Sequence, residues 1–79
     1  MKLVSSDRVV FLLNQINFYE LRKQITMQAT DSLPDSKNTN YDIEFRMEII
    51  SQHIQLVTEM LQITEMLIKL ETALQEVLP

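Results

Sequence analysis

The chain of 79 residues has no cysteine, no glycine and no tryptophan, only two prolines, and three Phe with two Tyr as its aromatic set. Each absence removes a class of function. Without cysteine there is no disulfide, no thiolate nucleophile and no Cys-ligated zinc or iron–sulfur centre. Without glycine the backbone lacks the close-approach loops that cradle phosphates, which sets aside P-loop and dinucleotide-binding chemistry. Basic charge is also scarce, with seven Lys or Arg against eleven Asp or Glu and a formal net charge of -4. A polyanion meets a repulsive average field, and Arg8, Arg22, Lys23, Arg46 and Lys69 are scattered among acids, so nucleic acid is not an expected partner.

Long apolar runs are missing as well. No stretch approaches the roughly 18 uninterrupted apolar residues of a membrane span; Glu59, Glu65 and Lys69 break the best candidate. Lys2 precedes the apolar run from Val9 to Leu13, but Ser5, Ser6, Asp7 and Arg8 intervene and no small-residue cleavage site follows, so a cleaved secretory signal is not expected. These features predict a soluble, cytoplasmic protein.

What the sequence does have is helical periodicity. Leu56, Met60, Ile63, Leu67, Leu70, Leu74 and Val77 alternate by four and three residues, the spacing of one helical seam. Ile43, Met47, Ile50, Ile54, Val57 and Leu61 follow the same alternation, displaced around the cylinder. With Met60 at heptad position a, the polar residues collect at c and f (Glu44, Gln55, Thr58, Gln62, Lys69 and Glu76 among them), leaving a narrow solvent stripe. No Gly or Pro interrupts residues 42–78, and Leu, Met, Glu and Gln are good helix formers. One long helix is therefore expected over 42–78, with Asn40 favoured over Thr39 and Asp42 as its cap.

A first helix is expected over 7–30, capped by Ser5 or Ser6. Val9, Leu12, Leu13, Ile16 and Tyr19 make one apolar face; Phe11, Phe18, Leu21 and Ile25 make another. The intervening 31–41 is a connector, because Pro34 breaks a helix and restricts Leu33, while Ser, Asp and Asn supply turn chemistry. Tyr41 and Phe45 are placed to staple this turn. The fold class is thus all-α: a single-domain antiparallel helical hairpin with a long C-terminal helix, completed by oligomerisation or a partner helix. A chain of this length hides only about 60% of the surface its unfolded form exposes, so its own core is marginal. At about 1.5 Å per residue the first helix spans about 36 Å and the second about 55 Å, which predicts an apolar overhang on the longer arm.

Chemistry-bearing residues are sparse. His53, the only histidine, falls at an a position between Ile49 and Leu56 and reads as a packed or interfacial side chain. Glu48 and Gln52 lie near it, but no second His stands at helical spacing, so no metal or cofactor is expected. Glu44, Glu48, Glu59 and Glu65 read as a solvated stripe, and the serines have no visible base partner, which argues against an enzyme. Met47, Met60 and Met66 admit an adaptable peptide-binding surface, with helix packing the simpler account.

Three segments carry a family resemblance: Gln15-Ile16-Asn17-Phe18-Tyr19-Glu20, Ser51-Gln52-His53-Ile54-Gln55-Leu56, and Leu67-Ile68-Lys69-Leu70-Glu71-Thr72-Ala73-Leu74. On these the chain resembles the small helical-hairpin proteins of bacterial type III secretion systems, either the inner-rod and needle subunits or the co-chaperones that hold the needle subunit before export. The resemblance implies self-assembly into a secretion conduit or helical clamping of such a subunit, and export without a cleaved signal if the chain is a conduit component. The expected contact residues are Leu56, Met60, Ile63, Leu67, Leu70, Leu74 and Val77 on one seam and Ile50, Ile54, Val57 and Leu61 on the other. A charge at Ile63 or Leu67 is expected to disrupt assembly. A small regulatory adaptor that binds a cytosolic protein through the same apolar face is the alternative.

Overall fold

The computed structural model describes residues 2–78, with side chains from residue 7 onward. It consists of two helices, α1 (Lys2–Asp31) and α2 (Ile43–Val77), joined by an eleven-residue connector, 32–42. The two helices laid end to end would exceed about 95 Å, yet the molecule measures 64 × 15 × 14 Å. The chain therefore folds back on itself as an antiparallel hairpin. Its radius of gyration is 18.4 Å, against about 12 Å for a compact domain of this length.

Burial follows a 3–4 alternation on both arms. On α1 the covered seam positions are Val9, Leu12, Ile16, Tyr19, Lys23, Thr26 and Thr30; on α2 they are Arg46, Ile49, Leu56, Met60, Ile63, Leu67, Leu70, Leu74 and Val77, with Gln15, Glu59 and Ala73 half-buried beside them. The Leu56 to Val77 seam is thus the one that meets the hairpin mate. Leu12, Ile49, Ile63 and Leu67 form the core, with no fully buried large side chain behind them.

Several boundary expectations are corrected. α1 begins at Lys2 rather than Asp7, so Ser5 and Ser6 lie inside the helix and do not cap it. Serine costs only about 0.5 kcal/mol in a helix interior, and Leu3 and Val4 upstream extend the helix. The arms become nearly equal, about 45 Å and about 52 Å, and most of the expected overhang disappears. The cap of α2 is Asp42, not Asn40: the Asp42 carboxylate accepts a 2.8 Å bond from the Phe45 backbone N–H. Asn40 is instead spent in the turn, its N–H donating to Asn38 Oδ1 at 2.9 Å. Leu13, placed with the packing face, is exposed because it lies one position off the a/d seam.

The connector closes without any left-handed residue among those described, which a glycine-free chain requires. α1 ends as the Leu33 N–H turns back to the Thr30 carbonyl at 3.2 Å, ahead of Pro34. The Lys37 N–H then donates to Asp35 Oδ1 at 2.9 Å, an Asx turn. Arg46 Nε donates to the Ser36 carbonyl at 2.8 Å, tying the connector to the first turn of α2. The Tyr41 and Phe45 rings meet edge to face at 4.9 Å, across the helix start.

Asp42→Ala should lower unfolding free energy by about 1 kcal/mol. Asn40→Ala should cost less than half as much. Urea titration followed by circular dichroism compares them; equal losses would return the cap to Asn40.

Candidate interaction surface

The inner seam uses only one side of α2. Of the residues expected to make contacts, Ile63 and Leu67 are buried, and Leu56, Met60, Leu70, Leu74 and Val77 are half-buried against α1. Ile50, Ile54, Val57 and Leu61 are exposed, at 46%, 60%, 42% and 64%. They belong to a longer outward stripe that starts at Ile43 and Met47 and reaches Ile68. Between Leu61 and Ile68 it is interrupted by Thr64, whose hydroxyl donates to the Met60 carbonyl at 2.8 Å. A shallow apolar depression is lined by Met47, Ile50, Ser51 and Ile54.

The second face of α1 is also outward. Phe11, Phe18, Leu21 and Ile25 are all more than half exposed. Phe18 packs edge to face on Tyr19 at 5.2 Å, and the Arg22 guanidinium stands 6.0 Å from the Phe18 ring centre, so part of this face is already occupied by its own neighbours. On the flank between the arms, a groove of about 200 Å³ is lined by Tyr19, Arg22, Glu59, Gln62, Ile63 and Met66.

His53, expected to be packed or interfacial, is not packed within the hairpin, since it is exposed. The interface near the connector is polar, with Lys23, Thr26 and Thr30 on α1 and Arg46 on α2, so the a position at residue 53 gains no apolar cover. Thr26, the most buried polar residue, returns its hydroxyl proton to the Arg22 carbonyl at 2.9 Å, and Thr30 repeats this to Thr26. Sequence periodicity centred on apolar residues missed these three seam positions. Extending the Val9, Leu12, Ile16, Tyr19 spacing by four and three would have found them. Among the described residues no three His, Asp or Glu side chains are grouped to hold a metal ion, and no helix is long and apolar enough to cross a membrane.

The balance of apolar residues is unusual. Among the described residues seventeen large hydrophobic side chains are exposed and four are buried. The accessible surface is 6410 Å², whereas a compact monomer of 9.3 kDa exposes roughly 5,000 Å². The excess, roughly 1,400 Å², reflects the rod shape, 64 × 15 × 14 Å. Compared with known proteins, the chain matches no protein family, no curated protein and no solved structure.

The two seams should respond differently to truncation. Leu67→Ala, which opens a cavity between the arms, should lower stability by about 2–4 kcal/mol, while Ile54→Ala should stay within about 0.5 kcal/mol. Thermal unfolding of both variants in dilute solution is the check; comparable losses would mean that the outward stripe is already covered.

Proposed function

We propose that this chain is a non-catalytic helical interaction protein that uses the outward stripe of α2 to join an assembly. The observation that carries the reading is the exposure of Ile50, Ile54, Val57 and Leu61 on a helix whose other seam is already filled by α1. A contiguous apolar surface of this length on a folded chain marks a protein contact. Two observations accord with this: His53 belongs to no group of three metal-ligand-type side chains among the described residues, and the flank groove is lined by one acid, one base, Gln62 and packing residues.

The segments that resemble type III secretion hairpins make that machinery the proposed setting. A rod-shaped hairpin of 64 Å with arms of similar length suits either a subunit stacked side by side in a conduit or a clamp lying along a client helix. The two differ in the identity of the partner, self in the first and a secreted subunit in the second. A regulatory adaptor would use the same stripe on a cytosolic protein.

The structure moves the decisive substitution. A charge at Ile63 or Leu67 destroys the hairpin itself, so it reports on folding rather than on assembly. Ile54→Glu and Leu61→Glu are the informative changes. Affinity capture of the tagged chain from its native host, paired with light scattering of the purified protein, should give either a mass above that of the 9.3 kDa monomer or a stoichiometric partner, and both variants should lose it with helix content unchanged. A monomer that captures nothing, or captures that persist in both variants, would refute the reading.

A further inference from the structure

Resting on the helix-binding role just proposed, we infer that the α2 stripe takes an amphipathic partner helix whose own apolar stripe is bordered by lysine or arginine, and not a second copy of this chain. In an antiparallel pair the residues beside the a/d seam meet like with like, e against e on one flank and g against g on the other. Taking Val9 as a on α1 and Met60 as a on α2, every described a and d position of the two helices except His53 is buried or half-buried. The groove confirms the lettering, because Arg22 and Glu59, both g, line it together. The α2 stripe occupies b and e and therefore lies on the opposite flank.

Charge separates the two flanks. Positions b, e and f of both helices hold Asp7, Glu20, Asp31, Glu44, Glu65 and Glu71, all exposed, and between residues 7 and 77 no Lys or Arg stands at any of them. Positions g and c hold Arg8, Arg22 and Lys69 against Glu48, Glu59 and Glu76, which balance. The exposed charges on the stripe's flank are thus all acids, with Lys23 and Arg46 half-buried at a positions in the seam beside it, and the opposite flank is neutral. Two copies joined through this face would set one acidic rim against another, a like-charge juxtaposition that disfavours the pairing. A copy offering its g/c flank would bring no net positive charge. A helix with basic borders satisfies both the apolar stripe and its rim.

Two synthetic amphipathic peptides of about 25 residues, long enough to span Ile43 to Ile68, test this with the full chain. They share one Leu/Ile stripe and differ only in Lys or Glu at the bordering positions. By fluorescence anisotropy the Lys peptide should bind about tenfold more tightly than the Glu peptide at about 0.01 M salt, and the preference should shrink at about 1 M. The triple variant Glu20→Lys, Glu65→Lys, Glu71→Lys, altered only at exposed positions, should reverse the order with helix content unchanged. Equal, salt-independent binding of the two peptides would overturn the inference. So would a homodimer that Ile54→Glu converts to monomer, or host capture through the stripe by a protein to which neither peptide is a competitor; in those two cases the helix-binding role itself survives. If neither peptide binds and Ile54→Glu alters no capture or mass, that role falls with it.

Discussion

A helix can hide only the stripe that another helix faces, and α2 has one mate. This constraint governs the rest of the molecule. Its inner seam, from Ile49 through Leu67 to Val77, is used up by α1, so the residues displaced to b and e have nothing within the chain to pack on. The hairpin cannot rearrange to cover both, because turning α2 to bury Ile54 and Leu61 would expose Ile63 and Leu67 in exchange. Covering both would take a further helix, the partner proposed above.

The same constraint explains the uneven quality of the interface. Away from the connector, Leu12 and Ile16 pack where Ile63 and Leu67 supply apolar partners, and this end carries most of the core. Toward the connector, Lys23, Thr26 and Thr30 replace apolar residues on α1, and the threonine hydroxyls survive burial only by bonding back to carbonyls four residues earlier. Arg46 reaches the Ser36 carbonyl, and the Asp42 cap and the Tyr41–Phe45 ring pair fix the start of α2. Local hydrogen bonding holds this end, where side-chain burial is thin.

Much of this was legible in the residues. The two helices, the connector around Pro34, and the division of α2 into two seams follow from spacing alone. Spacing could not decide which seam α1 would cover, since Ile50 and Leu61 are as apolar as Ile63 and Leu67. The answer lies in α1, whose Val9, Leu12, Ile16, Tyr19 register matches a seam that runs to the end of α2, while the other ends at Ile68. The helix starts are less legible. Serine and asparagine at residues 5, 6 and 40 resemble caps, but capping depends on backbone geometry that composition does not encode, and Asp42 alone places its carboxylate over the Phe45 N–H. The one-sided acidic frame was hidden because charges counted along the chain look scattered and separate only when sorted by heptad position on both arms together.

The absence of cysteine makes the central claim directly measurable. Single cysteines placed at Ile50, Ile54, Val57 and Leu61, and at Ile49, Ile63 and Leu67, can be labelled with a thiol reagent in the dilute free chain and in the complex recovered from its host. The four outward positions should react rapidly in the free chain and become protected in the complex, while the three inward positions stay slow in both. Protection of the outward set in the free chain, or its full reactivity in the complex, would contradict the account.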